Sequence, residues 1–553
     1  MSKTINNNSL DNQPIDTQLH TNPTKPIENI VIVGGGTAGW ITAGTLAAKL
    51  KKQHDKNFSV TLIESANVAP IGVGEGTWPT MRRTLKNMGI RETDFIRQCH
   101  VSFKQGAKFC QWVTGKKDDF YYHPLMLPES AGQDDVSAYW QAIQFPYMAH
   151  SSHSNNAADQ QSFSMLLSPQ QAICEAGLAP KLITTAEYDA IANYAYHLDA
   201  GCFSEFLKQH CINQLNVNHV VDDVIGISND DSGDISCLTT KQHSDIYGDL
   251  FIDCSGFKSL LLGEHYQVPF KSCQDILFVD SAIAVQVPYE DENSPIASHT
   301  ISTAQTAGWI WDIGLSSRRG VGHVYASKYI SEQAATEQLK QYLSPTVADV
   351  EQLTFRKIDI NPGHREKFWH KNCVAVGLSA GFLEPLEASA LLLVEISANM
   401  IAQQLPANRA CMDIVAERFN QTFLYRWDRI IDFLKLHYML TQRNDSPFWV
   451  DNRDPKTIPQ SLQTLLELWR YQLPSDNDFT HATEVFPAAS YQYVLYGMGF
   501  KTQAPHWGIS TQAKDAATAV FDKVAQDTAQ LQHNLVSNRA LINLIKQYGL
   551  QRV

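Results

Sequence analysis

The chain opens with no apolar periodicity. Met1 to Pro26 is polar and rich in Asn, Thr and Gln, a composition that cannot bury enough apolar surface to order itself, so it is expected to be disordered. Order is expected to begin between Ile27 and Ile30. From Ile30 the pattern changes abruptly. IVIV is an unbroken apolar run, GGGTAG follows, the stretch to Leu50 reads as a helix, and SVTLIES (Ser59 to Ser65) is a second apolar strand. Strand, glycine turn, helix and strand make one βαβ unit. LFIDCSGF (Leu250 to Phe257) is another buried strand running into a glycine turn. The middle of the chain alternates short β-rich runs with polar loops, of which Ser151–Gln161 and the acidic turn Asn229–Asp234 are expected to be mobile. After Ala380 the reading is mostly helical. Cys411 to Leu440 contains no Gly or Pro, and Ala513 to Tyr548 is the other clear helical stretch. There is no internal repeat.

Composition narrows the class. With 44% hydrophobic and 18% charged residues in 553, the chain can bury a large core, and 44 basic against 57 acidic side chains leave a net charge of −13. That balance argues against a nucleic-acid or anionic-membrane binder, which would carry basic patches. None of the ten cysteines forms a CxxC pair, and no Cys/His cluster has zinc-ligand spacing, so reduced thiols and no metal are expected. The N-terminus has no apolar signal segment. The longest apolar run, Ala390 to Ile401, is short and interrupted by Glu395. A soluble cytoplasmic protein is expected.

Chemistry enters with the glycines. Gly34, Gly36 and Gly39 form GxGxxG between a strand and a helix. The first permits the tight turn, the second lets backbone approach a pyrophosphate, and the third lets helix and strand pack closely. Glu64 ends the next strand, where a ribose-binding carboxylate belongs. Asp253 with Gly256 is a second acid-plus-glycine turn, and GLSAG (Gly377 to Gly381) a third candidate approach. These favour FAD over NAD. No second GxGxxG exists, so the flavin is expected to arrive reduced or to be reduced by a transient donor.

Six segments then carry a family likeness. GGGTAGW (Gly34 to Trp40), IGVGEGT (Ile71 to Thr77), SFKQGAKF (Ser102 to Phe109), GWIWDIG (Gly308 to Gly314), GFLEPLEASA (Gly381 to Ala390) and HYMLTQRNDSPFW (His437 to Trp449) occur in that order. Together they resemble the flavin-dependent tryptophan halogenases over nearly all of the ordered length. The resemblance implies an α/β, FAD-binding, two-domain flavoprotein monooxygenase-like fold with a helical C-terminal part. It implies a discontinuous FAD part (about 27–115, 185–265 and 365–402), a sheet-rich cover (about 116–184 and 266–364) and a helical part (403–553). It also implies a reaction: reduced FAD, O2 and chloride or bromide make hypohalous acid, which travels inside the protein to a lysine beside an electron-rich aromatic substrate of indole type, with free tryptophan, a bare indole, a phenol, a pyrrole or a larger peptide-like aromatic left open.

Residue by residue, the likeness makes Lys104 the lysine and Glu387 the carboxylate that stabilises the cationic ring and takes its proton. It places FAD against Gly34, Gly35, Gly36, Thr37, Ala38, Gly39, Glu64, Gly74, Glu75, Gly76, Val224, Asp253, Gly256, Leu378 and Leu391. Halide would meet the backbone of Ser389 and Ala390. His123, Trp309, Trp311, Glu484 and Phe486 would face the substrate, the two tryptophans sharing one face of a strand and walling it from the flavin. An amine restrains hypohalous acid either as an ammonium that polarises the O–halogen bond or as a free amine forming a haloamine, which needs a lowered pKa. Glu384 reads as a charge complementing a helix N-terminus, and Glu395 as a partner inside the helix bundle. The likeness departs from the family in three places. Ala388-Ser389-Ala390 stands for Ser-Thr-Gly, which would strain Ala390 if that position needs a positive φ. Gly314 stands for the signature Pro, and Pro487-Ala488-Ala489 for an aromatic run near the substrate. The implied partner is a separate flavin reductase, and a homodimer is a guess. Two other readings remain open: an aromatic hydroxylase of the same architecture, which would give halide-independent hydroxylated product, and a non-catalytic FAD-binding protein, which would show no turnover with a flavin reductase.

Overall fold

The structure, a computed structural model, describes residues 25–53, 58–67, 74–129, 134–144, 162–481, 483–503 and 510–552. Ser151–Gln161 and nearly all of the N-terminal tail lie outside these residues.

The first layer is a six-stranded sheet in the order Trp369–His370, Cys373–Ala375, Leu250–Asp253, Asn29–Val33, Ser59–Glu64, Asn218–Val221. All pairs are parallel except the first. The central strands Leu250–Asp253 and Asn29–Val33 are apolar apart from one polar end residue each, because both faces are covered. The helix Thr37–Gln53 packs against the helices Ala200–Leu215 and Ser389–Gln403. Val33 is level with Ile63 and Asp253, so the glycine turn after Val33, Glu64 and the Cys254–Gly256 turn all leave the sheet at its carboxyl edge, where ligands bind in such folds.

The second layer is a seven-stranded sheet in the order Arg356–Asp359, Ser281–Pro288, Arg318–Tyr325, Gly308–Gly314, Thr300–Gln305, Gly106–Cys110, Phe120–Pro124. The segment Gly106–Cys110, expected with the first sheet, pairs here with Thr300–Gln305 and Phe120–Pro124. A small sheet joins the layers: Gly74–Gly76 and Ser102–Lys104 flank Ala195–Asp199, with Gly76 level with His197 and Lys104 with Ala195.

The C-terminal third is helical. The helix Arg409–Met439 is capped by Asn408. The long run expected to Tyr548 divides into Thr511–Asn534 and Asn538–Tyr548, because the Ser537 hydroxyl accepts from Ala540 N and starts a new helix. From that helix Asn538 donates to Phe103 O at 3.1 Å, fastening the chain end to the strand that bears Lys104. The acidic turn expected to be mobile is closed. Asp230 accepts from the Ser232 and Asp234 amides, and Asp234 pairs with Arg409.

One fully buried ion pair supports the small sheet. Glu92 accepts from Lys181 at 3.0 Å and from the hydroxyls of Tyr194 and Tyr196 at 2.7 Å each. Removing one partner of such a pair leaves an uncompensated charge, at about 3–5 kcal/mol. Glu92→Ala is therefore expected to lower the thermal midpoint sharply, and adding Lys181→Met to restore much of the loss. A single variant melting with the parent would contradict this account.

Candidate active site

A cavity of about 890 Å3 opens at the carboxyl edge of the first sheet. Gly34, Gly35, Gly36, Thr37, Ala38, Glu64, Gly74, Glu75, Gly76, Val224, Gly256, Leu378, Leu391, Ser389 and Ala390 line it, together with Lys104 and Trp311. The glycines are needed for different reasons. A Cβ at Gly34 would lie 2.1 Å from Cys254 O, so this position admits only glycine, whereas a Cβ at Gly36 would meet nothing within 4 Å and would project into open space. That cradle leaves backbone free to approach a pyrophosphate. Glu64 accepts from His219 at 2.8 Å and has Lys208 at 3.8 Å. The residues fit a dinucleotide flavin.

Two expected cofactor residues stand behind this surface. Asp253 is fully buried, and its carboxylate accepts from the amides of Ser255, Leu261 and Leu262 at 2.8–3.0 Å, shaping the turn that carries Gly256. A Cβ at Gly39 would fall 1.9 Å from Gly34 O, so this glycine serves the packing of helix on strand.

Lys104 is 5% exposed. Its ammonium donates to Thr77 O at 3.3 Å. The contact follows from the small sheet, in which the Gly74–Gly76 strap and the lysine strand hang from one central strand. Burial lowers its pKa from the usual 10.5 to about 8, against the opposing pull of Glu387.

Glu387 is 6% exposed and sits between two histidines. His123 Nδ1 lies 3.0 Å from both carboxylate oxygens, and His437 Nε2 lies 3.1 Å from one of them. Burial pushes the carboxyl up, but His123 and His437 outweigh it and hold it down to about 2. Each histidine is itself held. His123 Nε2 meets Ser490 Oγ at 3.0 Å, and His437 Nδ1 meets the Tyr121 hydroxyl at 2.6 Å. Trp78 donates to Glu387 O at 2.8 Å and fixes the backbone of the loop. No ion pair joins the two charges: no oxygen of Glu387 comes within 4.0 Å of Lys104 Nζ.

Other expectations fall differently. The left-handed residue in the loop is Ala388, at φ 54, while Ala390 is helical and unstrained. A side chain at this conformation costs about 1–2 kcal/mol. The amides of Ser389 and Ala390 begin the helix Ser389–Gln403 and lack intrahelical acceptors, as an anion site requires. Trp309 and Trp311 share a strand face with ring centroids 6.4 Å apart, but only Trp311 lines the cavity. Phe486 is buried, stacked on Phe433 at 3.8 Å and 6.5 Å from His123. Glu484 is not brought to this cluster; it accepts from the Tyr425 hydroxyl. Glu384 is a buried carboxyl bonded to Trp309 and Tyr438, not a solvated helix charge. Glu395 makes no ion pair among the described residues; it accepts from the hydroxyls of Thr80 and Thr84, with Arg83 acting on it from farther away.

Sequence reasoning missed His437, Ser490, Tyr121 and the Thr77 carbonyl. His437 had a signal, standing first in the segment HYMLTQRNDSPFW; Thr77 ended the segment IGVGEGT and Tyr121 stood two residues before His123, but nothing local marked the role of either or of Ser490. Among the described residues no group of three or more His, Cys, Asp or Glu could hold a metal, and no helix is long and apolar enough to cross a membrane.

Comparison with known proteins gives a consistent result. The family model described as tryptophan halogenase matches residues 29–514. A tryptophan 6-halogenase of Streptomyces toxytricini is 34% identical over 497 residues, covering 86% of this chain and 90% of that one. The crystal structure of a tryptophan halogenase from Shewanella frigidimarina superposes with a TM-score of 0.90 at 50% identity, covering 96% of this chain and 99% of that one. A tryptophan C-6 flavin-dependent halogenase from taromycin biosynthesis superposes with a TM-score of 0.84 at 31% identity, covering 94% and 100%.

The lowered pKa of Lys104 makes a stability prediction. Holding an ammonium at about 8 instead of 10.5 costs the fold about 3 kcal/mol at neutral pH. The folded value lies below the unfolded one, so the cost is complete below pH 8 and disappears as pH rises towards 10.5. Lys104→Met should therefore melt above the parent at pH 7, with the gain shrinking between pH 8 and pH 10. A Met variant that is less stable at pH 7, or a gain that ignores pH, would refute the burial account.

Proposed function

The chain belongs to the tryptophan halogenase family, an enzyme family of flavin-dependent halogenases, and on that premise we propose how its own residues carry the reaction. Bound as reduced FAD, the flavin supplies hypohalous acid from O2 and chloride or bromide. Gly34, Gly35, Gly36, Thr37 and Ala38 would take its pyrophosphate, Glu64 its ribose, and the strap Gly74–Gly76 with Val224, Gly256, Leu378 and Leu391 its remaining faces. Asp253 and Gly39 shape this bed from behind. Ser389 and Ala390 would offer backbone N–H groups to the halide. The single GxGxxG supports a separate flavin reductase as the source of reduced flavin. We assign 27–402 to the flavin-binding and sheet-rich domain and 403–553 to the helical cover.

Lys104 receives the oxidant. At neutral pH it is mainly an ammonium, which donates a hydrogen bond to the hypohalous oxygen and polarises the O–halogen bond. Glu387 remains ionised although buried, because His123 and His437 hold it so. A carboxylate in a dry site stabilises the cationic ring strongly and then takes the proton that leaves. His123 and Phe486 supply flat walls for an electron-rich ring, and Trp311, with Trp309 behind it, separates that ring from the flavin. Glu484 stands outside this cluster and is assigned to the rim. The substrate class is an indole-type aromatic, free tryptophan included. The observation that carries the reading is one arrangement: a buried lysine on the wall of the cavity lined by the glycine turn, with a carboxylate flanked by two histidines near it and no ion pair between them.

The test is direct. The protein is incubated with FAD, a flavin reductase, NADH, bromide and a panel of indoles and phenols. Mass spectra should show the bromine isotope doublet on one of them. Lys104→Ala should remove the product while flavin oxidation continues, and Glu387→Gln should slow product formation about 100-fold without abolishing it. Hydroxylated product that forms without halide would overturn the assignment in favour of a hydroxylase.

A further inference from the structure

Glu384 is not used by the mechanism above, yet its carboxyl is 1% exposed. One of its oxygens accepts two hydrogen bonds, from Trp309 Nε1 at 2.6 Å and from the Tyr438 hydroxyl at 2.5 Å. Its other oxygen is buried with no partner. Burial raises this carboxyl to about 7, with Tyr438, Trp309 and Lys435 opposing. Lys435 gives its own hydrogen bonds to Ile276 O at 3.0 Å and Asn452 Oδ1 at 2.8 Å. A polar group this deep, left half satisfied, costs about 1–3 kcal/mol. Apolar packing would be cheaper, so what the contacts connect matters.

Three elements meet at this carboxyl. Trp309 lies on the strand Gly308–Gly314, two residues before Trp311, which lines the cavity. The ring of Trp311 packs against Gly322, where a Cβ would stand 2.2 Å from it, so Trp311 has its own support. Trp309 packs beside Trp112 and Trp311, and its indole N–H is held by Glu384. Tyr438 follows His437 on the helix Arg409–Met439. These adjacent helix residues reach the two glutamates of one short loop: His437 Nε2 lies 3.1 Å from Glu387, and Tyr438 donates to Glu384. The bond from Tyr438 to Glu384 is thus a tie between this loop and the helix that carries His437, additional to the bond from Trp78 to Glu387 O.

We propose that Glu384 is a positioning residue that staples the tryptophan wall to the helix bearing His437, and so keeps oxidant production coupled to halogenation of the ring. The proposal rests on the function assigned above. When the staple is lost, Trp309 can turn and the Glu387 loop can slide against the helix, so oxidant escapes or meets a misplaced ring. Misplacement on the scale of 1 Å is enough for about a 100-fold loss.

The experiment compares wild type with Glu384→Ala, Glu384→Gln, Trp309→Phe and Tyr438→Phe as FAD-loaded full-length protein. Two quantities are read: halogenated product per reduced flavin oxidised, and the hydrogen-bond-sensitive indole N–H band of Trp309 by ultraviolet resonance Raman, identified by its loss in Trp309→Phe. Glu384→Ala should lower the product ratio by about 10- to 100-fold and shift the Trp309 band, with flavin oxidation continuing. Glu384→Gln keeps an oxygen for both donors and should stay within about threefold of wild type. If Glu384→Ala does not fold, Trp309→Phe and Tyr438→Phe each remove one arm and should each lower the ratio. A wild-type ratio in Glu384→Ala or in both phenylalanine variants, or an unmoved Trp309 band in Glu384→Ala, overturns the proposal. Absence of any halogenated product from wild type would instead count against the assigned function, and the Trp309 band would still report on the staple.

Discussion

A buried ammonium and a buried carboxylate attract each other strongly in a low-dielectric site. Left alone, Lys104 and Glu387 would close into an ion pair and leave no room for a reactant. The structure prevents this by giving each charge its own partners. The Thr77 carbonyl holds the lysine, and His123 and His437 hold the carboxylate. The two charges are thereby kept apart, and partners from several parts of the fold keep them so.

Each holder comes from a different layer. Thr77 follows the strap Gly74–Gly76, which shares its central strand with Lys104. His123 comes from the edge of the seven-stranded sheet, and His437 from the long C-terminal helix. Both histidines are in turn fixed by hydroxyls, Ser490 from the helix Ala488–Gly497 and Tyr121 from the edge strand. A dry site with fixed dipoles is the condition under which charge stabilisation counts for most, since nothing needs to reorganise as the ring becomes cationic. The burden is visible in the pKa values: a lysine lowered to about 8, and a glutamate held at about 2 against its own burial.

The loop Glu384–Ser389 concentrates these demands. Within six residues it carries a buried carboxyl on the tryptophan wall, the clamped carboxylate, a left-handed alanine and the start of a helix whose first amides face the cavity. The turn at Ala388 sends Glu387 towards the histidines and Ser389 towards the flavin side. One left-handed residue therefore turns Glu387 and Ser389 towards different neighbours.

Local pattern was enough for much of this molecule. The βαβ unit, the glycine turn, Glu64 and the long C-terminal helix are each written in consecutive residues, because period and turn chemistry act within a few positions of the chain. The ordered motifs were enough to point to Lys104 and Glu387. What they could not supply was the company these residues keep. His437 and Ser490 lie 50 and 103 positions beyond Glu387, Tyr121 lies far before it, and nothing in their local sequence tells which face of a helix or strand will meet that carboxylate. The same limit explains why Glu384 read as a helix charge: an acid next to a proline looks alike whether it faces solvent, ligand or core. The sequence by itself determined the elements and the reactive residue types. Only the packing of three layers decided which polar groups would be dry and which would face each other, because burial and hydrogen-bond partnership belong to the whole chain and not to any segment of it.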